Sequence, residues 1–214
     1  MTKITNVDEP NEGLRARKRR ETSQRITDVG MCLFIEKGYE STTLDDIASG
    51  AGISRRTFFY YFKSKDELAI AVLEEMMHNL ALRIEKVTNA FEDPAQVYAF
   101  GIRTVLETAT TDARWKQLLN RSEVIADALF RRMGPFAIRD LRLASDAGRF
   151  QIPNAELVWR LTTHAIVGIS LAITTDAVPA TSIDQIVVRL LCMTGIGSDA
   201  AIELSTRPRP QLPT

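Results

Sequence analysis

One short segment of the 214-residue chain, from Ser54 to Lys65, combines basic with aromatic side chains. It holds four basic residues and no acidic one. At about 100° per residue of an α-helix, two arginines and two aromatic residues share one arc, and Phe58 and Tyr61 point away from it toward a packing side. Guanidinium groups bind guanine edges in the major groove of DNA, and aromatic side chains contact thymine methyls or the sugar-phosphate backbone. A merely solvated face would be expected to carry Glu and Lys, so the composition of this arc favours DNA binding. The arc consists of Arg55, Arg56, Phe59 and Tyr60.

A second basic cluster precedes the first apolar periodicity, between residues 15 and 25, with six basic residues against one acid, Glu21. The alternative is a solvated helix start, but positive charge is unfavourable at a helix N-terminus. Contact with phosphates or with the minor groove is the better interpretation. The predicted DNA contacts from this cluster are Arg17, Lys18, Arg19 and Arg20.

Three helices are predicted to position these side chains. The first spans about 17–37 and ends at Gly38. Thr43, with Asp46 three residues later, resembles a capping box that opens a short second helix. Gly52 lies in a tight turn that needs positive φ, and Ser54 caps a third helix that ends near residue 61. Residues 43–62 thus have the lengths of a helix-turn-helix, with an ordinary αα-hairpin in a helical core as the alternative.

The rest of the chain also has helical periodicity, so the predicted fold class is all-α. A second capping box, Ser64 with Glu67, opens a helix that runs to about residue 82. Further helices are predicted at about 94–110, 113–120, 122–147, 155–175 and 182–196. The predicted organisation is a disordered arm (1–14), a three-helix helix-turn-helix domain (15–64), a larger helical ligand-binding and dimerisation domain (65–206) and a disordered tail (207–214).

Two segments of the larger domain, 155–175 and 183–193, are apolar nearly all round, and such helices must be buried on every side. Two of them at the end of a small domain favour a dimer built as a four-helix bundle. A monomeric core is the alternative. The predicted interface residues are Leu161, Ala165, Gly168, Ala172, Ile183, Val187, Leu190 and Leu191.

Large side chains in the same domain are candidates for a ligand pocket, although each is also compatible with a plain core. Arg103, together with Arg114 and Arg121, is a candidate for binding an anionic effector. The predicted pocket residues are Phe100, Arg103, Trp115, Phe130, Met133, Phe136 and His164.

Composition excludes several classes of protein. The chain is 45% hydrophobic and 25% charged, so it is not wholly disordered. Its 27 basic and 27 acidic residues cancel, so any DNA-binding surface must be a local patch. Cys32 and Cys192 form no CxxC motif, and His78 and His164 are too isolated for a convincing metal or acid–base site. We expect no cofactor, no metal, no enzymatic activity, no membrane segment and a cytoplasmic location.

One dense set of residues resembles the TetR family of transcriptional regulators. The resemblance covers about residues 22–73 and implies a homodimer that binds a palindromic operator, acts as a repressor and is released by a small-molecule effector. It implies phosphate contacts from Thr43, Tyr60, Tyr61 and Lys65, and base or groove contacts from Ser54, Arg55, Arg56, Thr57 and Phe59. Phe59 stands where tyrosine is common in the family. Because it lacks the tyrosine hydroxyl, Phe59 cannot hydrogen-bond a phosphate. The resemblance rests on Leu33-Phe34, Glu36 to Tyr39, Thr42-Thr43, Asp46 to Ala48, Ala51 to Ser54, Thr57-Phe58 and Tyr61 to Leu68.

Two other functions stay open from the residues alone. One is a helical module whose basic face binds an acidic partner protein. The other is a helical enzyme, although the chain has no GxSxG, GxGxxG or P-loop motif. Salt-dependent binding to a palindromic duplex, in preference to random duplex, would distinguish a DNA-binding regulator from both.

Overall fold

The computed structural model describes residues 13–112, 115 and 122–213, and within these ranges every regular element is helical. The all-α prediction is confirmed. The chain divides into two compact units, residues 1–69 and 70–214. The division falls inside one long helix, five residues beyond the predicted boundary at 64.

The first unit contains three helices and the start of a fourth: α1 (Leu14–Lys37), α2 (Leu44–Gly50), α3 (Arg55–Tyr61) and α4 (Lys65–Thr88). Helix α1 begins at Leu14 because the Gly13 carbonyl accepts the first backbone hydrogen bonds, so the prediction of a disordered arm through residue 14 is wrong at its last residue. Residues 1–12 of that arm lie outside the described residues. The core of this unit is formed by Ile26, Phe34, Ile47, Phe58 and Leu68.

Local capping sets the angles between these short helices. Thr43 and Asp46 form the predicted capping box, and Ser54 accepts a hydrogen bond from the Thr57 backbone at 3.1 Å. Gly52 has φ +65°, as the predicted turn requires. At α4 the prediction is half right. Ser64 accepts from the Glu67 backbone N–H, but the Glu67 carboxylate accepts from the Lys63 backbone N–H instead of that of Ser64.

The second unit contains the remainder of α4, α5 (Pro94–Thr111), α6 (Ser122–Asp146), α7 (Ala155–Thr174), a 3₁₀ turn (Ala180–Ser182), α8 (Ile183–Cys192) and α9 (Ser198–Thr206). Helix α5 is central and packs against α6, α7, α8 and α9. The predicted helix at 113–120 lies outside the described residues except for Trp115. Helix α8 ends four residues before its predicted end because Gly195 adopts φ +83°, and a Cβ there would lie 2.8 Å from the Gln151 carbonyl oxygen. Helix α9 was not predicted.

Residues 207–213 of the C-terminal tail have no regular structure but contact the helical unit. The tail's charged groups and carbonyls bind the helical unit: Arg207 lies 2.7 Å from Asp93, Arg209 lies 2.8 Å from Glu107, and the Pro213 carbonyl accepts from Arg83 at 2.7 Å. Prolines prevent a helix in this segment without preventing side-chain contacts.

Among the described helices, α7 alone is long and apolar enough to cross a membrane on length and composition. In the structure it packs against α5 and α6 and buries Trp159, Ile166 and Val167. The same length and composition are typical of the core helix of a helical bundle.

Candidate nucleic-acid interface and ligand cavity

Helix α3 presents the predicted arc to solvent and packs its opposite side into the first unit. Phe58 is fully buried, whereas Phe59 is 49% exposed and Tyr60 is 67% exposed. Arg55 and Arg56 are exposed as well. Large aromatic side chains seldom remain exposed together unless they bind something, so this arc is the candidate recognition surface.

The arginines of the arc differ in their partners. The Arg55 Nε lies 3.5 Å from Asp45 Oδ1 on α2, and both side chains are largely exposed. Such an exposed pair contributes little to stability and leaves Arg55 free to move. For Arg56, the described residues supply no hydrogen-bond or ion-pair partner. Arg56 is therefore the less restrained of the two guanidinium groups.

The two basic clusters of the sequence meet in the first unit. The Arg19 guanidinium carbon lies 5.5 Å from the centre of the Tyr60 ring, which in turn packs edge-on against Tyr61 at 5.1 Å. The predicted contacts Arg17, Lys18, Arg19 and Arg20 are all exposed on α1. The start of α1 thus extends the basic surface of α3, although Arg17 also pairs with Glu21 at 3.1 Å.

Two predicted DNA contacts, Thr43 and Ser54, are helix caps in this structure, and a third, Thr57, bonds one of these caps. The Thr43 hydroxyl donates to the Asp46 carboxylate at 2.8 Å. The Ser54 and Thr57 hydroxyls lie 2.9 Å apart. These groups are exposed or half-buried, and their DNA contacts stay predictions.

Lys65 has a structural role that sequence reasoning missed. Its ammonium donates to the carbonyl oxygens of Tyr39 at 2.8 Å and Thr42 at 2.9 Å, and lies 3.4 Å from that of Glu40. It also lies 4.3 Å from the centre of the Tyr39 ring. All three of its donors are directed at the loop between α1 and α2. Without DNA, Lys65 joins this loop to the start of α4, and its phosphate contact stays a prediction.

The capping carboxylate Asp46 is strongly stabilised in its charged form. Its pKa falls from the ordinary 3.8 to about 2, because the Thr43 backbone N–H, the Thr43 hydroxyl and then Lys37 donate hydrogen bonds to it. Lys37 lies 3.1 Å away at the end of α1. This cluster links α1 to α2 and so supports the position of α3.

The second unit contains a small, partly open cavity of about 40 Å³. Its wall is mostly apolar and includes Met133, Phe136, Trp159 and Gly101. The lining also includes the polar residues Glu85, Arg139, Asp140 and Tyr98. Arg139 joins Glu85 and Asp140 by hydrogen bonds, and these three residues are called here the polar end. An apolar cavity with a few converging polar groups is the usual form of a small-molecule site.

A single guanidinium neutralises the polar end in part. Arg139 Nη1 lies 2.5 Å from Glu85 Oε1, and its Nε lies 2.9 Å from Asp140 Oδ1. Burial raises the pKa of the Asp140 carboxyl and outweighs the hydrogen bond from Arg139. Burial also raises the pKa of the Tyr98 hydroxyl, which is hydrogen-bonded to Thr162.

Of the seven predicted pocket residues, Met133 and Phe136 line this cavity. Phe130 lines a wider cleft of about 470 Å³, and Phe100 and Arg103 line a smaller one of about 10 Å³. Phe100 packs edge-on against Phe91, and Trp115 is buried elsewhere. Phe130 is covered by the Arg160 guanidinium, 3.5 Å from its ring centre, and His164 is exposed. Helical spacing identified large side chains but could not show which of them line the same cavity.

The Arg103 guanidinium is buried and already paired with an exposed carboxylate, and its binding of an anionic effector stays a prediction. It is 4% exposed, donates to Asp184 Oδ1 at 2.5 Å and to the Ser205 carbonyl at 3.1 Å, and joins α5 to α8 and α9. Its hydrogen bond, and then its charge, lower the pKa of Asp184. The other two candidates of this kind, Arg114 and Arg121, lie outside the described residues.

The predicted dimer residues separate into two groups. Val187, Leu190 and Leu191 are buried within the single chain, and their placement in an intermolecular interface stays a prediction. Ile183 is half-buried. On α7, Leu161 is 51% exposed, and Leu157 on the same face is 54% exposed. Gly168 is exposed, and Ala165 and Ala172 are half-buried. These residues lie on the same side of α7 as the two leucines. The α7 face is defined here as Leu157, Leu161, Ala165, Gly168 and Ala172.

An exposed third helix, set by a glycine turn against a capped second helix, defines a helix-turn-helix protein of the DNA-binding class. Residues 26–72 match the family model for bacterial regulatory proteins of the tetR family, and residues 93–207 match the tetracyclin repressor-like C-terminal domain. The chain belongs to the TetR family, which consists of transcriptional regulators and not of enzymes.

Individual relatives agree with this assignment. The regulator TcmR of Streptomyces glaucescens is 36% identical over 94 residues, 44% of this chain and 41% of TcmR. The regulator MftR of Mycobacterium tuberculosis is 30% identical over 149 residues, 58% of this chain and 72% of MftR. The crystal structure of RolR with resorcinol superposes with a TM-score of 0.83, at 27% identity, over 93% of this chain and 100% of RolR. The match spans less than half the length of TcmR.

Proposed function

We propose that this chain is a repressor that binds a palindromic operator in DNA as a homodimer and is released by a small-molecule effector. The single observation that carries the DNA-binding part is the exposed arc of α3, where two aromatic residues and two arginines face solvent while Phe58 anchors the helix. A cytoplasmic location is part of the proposal, since the operator is there.

The α7 face supports the homodimer. It is apolar and exposed in the single chain, and a Cβ built on Gly168 meets no atom within 4 Å. Small residues in the middle of an apolar helix face permit close approach of a second helix. A two-fold dimer places two recognition helices on one face of the duplex, about 34–36 Å apart or a multiple of that distance.

The cavity in the second unit supports the effector. RolR, the similar protein described above, was solved with resorcinol. An effector acts only if it binds one conformation of the dimer more tightly than the other. By linkage, operator DNA must then weaken effector binding by the same factor that effector weakens DNA binding.

The test is selection of random-sequence duplexes by the purified protein, followed by sequencing of the enriched DNA. The proposal expects a motif with two-fold symmetry, enriched by wild type and lost in Arg56→Ala. Lys86→Ala is the control, because Lys86 is an exposed base on α4 outside the recognition surface. Enrichment without any motif, or an unchanged motif with Arg56→Ala, would contradict the proposal.

A further inference from the structure

The size of the cavity in the second unit limits its ligand. One water molecule needs about 10–15 Å³ of such space, so about 40 Å³ holds a few waters and no more. A ligand with one ring fills it after small movements of the wall, for which the flexible Met133 is suited. A long acyl chain or a multi-ring compound would require the helices to separate.

The apolar wall favours an aromatic ring. Trp159 and Phe136 lie on it, and aromatic pairs prefer edge-on or offset packing that gains stability beyond area burial. Gly101 leaves part of the wall open, since a Cβ there would meet only Ile84, at 3.9 Å.

The polar end disfavours an anion. Two carboxylates, Glu85 and Asp140, share one guanidinium, Arg139, so the three groups carry a formal charge of −1 when ionised. A carboxylate or phosphate brought there meets a like net charge, which is unfavourable. A ligand cation would have to lie beside Arg139.

The hydrogen-bond inventory of the polar end shows what a ligand must supply. Among the described residues, both bonds to Asp140 fall on Oδ1, so Oδ2 keeps its acceptor capacity. Thr162 donates its proton to the Val158 carbonyl at 2.8 Å. Tyr98 must therefore be the donor in its 3.1 Å bond with Thr162, and it offers a ligand lone pairs only. The free Asp140 Oδ2 needs a hydrogen-bond donor, whereas Arg139 keeps N–H groups that need an acceptor, and a hydroxyl group supplies both.

We propose that the effector is a small, neutral, single-ring aromatic compound bearing hydroxyl groups, with a ligand hydroxyl donating to Asp140. This inference rests on the proposed function only in treating the cavity as the effector site. The ring packs against Trp159 and Phe136, and the hydroxyls satisfy acceptors that no side chain of the described residues fills.

Binding is tested directly with resorcinol, using the fluorescence of Trp159 in a Trp115→Phe background, where Trp159 is the remaining tryptophan of the two in the chain. Saturable quenching with a Kd of about 1 mM or tighter is expected. Benzoate, benzylamine and lauroyl-CoA serve as anionic, cationic and long-chain probes, and weaker binding than resorcinol is expected for each. Tighter binding of any of the three, or no saturable resorcinol binding, would overturn the proposal.

Two variants locate the site. Asp140→Asn is expected to weaken resorcinol binding by about tenfold or more, as the loss of a charge-assisted hydrogen bond does. Asp127→Asn is the matched control on the same helix, because Asp127 pairs with Arg131 and Arg160 and does not line the cavity. Gly101→Ala fills the cavity without straining α5 and is expected to abolish quenching while leaving the thermal unfolding temperature unchanged or raised. Resorcinol binding at the wild-type Kd by both Asp140→Asn and Gly101→Ala would show that resorcinol does not bind in this cavity.

Release of selected DNA separates this inference from the proposed function. If resorcinol binds but DNA is released by lauroyl-CoA or benzoate instead, the proposed effector class is wrong, whereas the proposed function as a regulator still holds. If the chain selects no DNA motif, the proposed function fails whatever the cavity binds.

Discussion

Arg56 is the least restrained arginine of the α3 arc, and a free guanidinium is the group best suited to a bidentate contact with guanine. We expect Arg56→Ala to weaken binding of the selected duplex by about 1–3 kcal/mol. Its folding stability should stay within about 0.5 kcal/mol of wild type, because the side chain is exposed. Gel shift and thermal unfolding measure the two effects. Wild-type affinity would show that Arg56 does not contact bases.

Lys65 offers a separate test at the residue scale, since its ammonium holds three backbone carbonyls. Lys65→Ala should lower the free energy of unfolding of the first unit by about 1–2 kcal/mol, because these acceptors lose a charged donor. Lys63→Ala is the matched control, because Lys63 is an exposed base close by in the chain. If instead stability is unchanged and the salt slope of DNA binding falls by about one, Lys65 acts on phosphate alone.

Asp46 makes the first unit sensitive to acid. Its folded-state pKa of about 2 lies below the ordinary 3.8, so the folded state favours the carboxylate. The stability that Asp46 contributes is complete above about pH 3.8 and is lost as the pH falls toward 2. An NMR titration of the Asp46 carboxyl should show a midpoint near 2. A midpoint near 3.8 would mean that the capping box with Thr43 does not form in solution.

Helices α1 and α4 approach each other closely at one glycine. A Cβ built on Gly30 would lie 2.8 Å from Leu68 Cδ2, and Leu68 is fully buried. Gly30→Ala should therefore destabilise the first unit by about 1–3 kcal/mol through overpacking, even though alanine favours helix. Denaturant unfolding measures this. Increased stability would show that Leu68 moves aside freely.

The elements that were predictable from sequence are those fixed by neighbouring residues. Thr43, Ser54 and Gly52 signal caps and a turn within a few positions, so the helix-turn-helix follows from local sequence alone. The tail and α9 could not be predicted in this way, because Arg207 and its partner Asp93 are far apart in sequence. The cavity was missed in part for the same reason: Tyr98, Arg139 and Trp159 meet only through packing of α5, α6 and α7.

Burial decides which residues can form a dimer interface, and periodicity alone did not distinguish them. Leu190 lies in the core of the single chain, so Leu190→Arg would unfold the second unit and say nothing about assembly. Leu161 is exposed on the α7 face, so Leu161→Glu should yield a folded monomer that loses specific DNA binding. Leu143→Glu is the matched control, since Leu143 is equally 51% exposed and lies on α6. A dimeric Leu161→Glu variant in sedimentation velocity would place the interface elsewhere.

Sequence discrimination by the whole molecule is the central claim, and the ratio of two dissociation constants measures it most directly. The Kd for random duplex and for the selected duplex should be determined at one fixed salt concentration, since both depend on salt. A dimer that places two α3 helices in the major groove is expected to prefer the selected duplex by about 10³-fold or more. A ratio near one would contradict this claim, because it would mean that the basic surface binds any DNA duplex through charge alone.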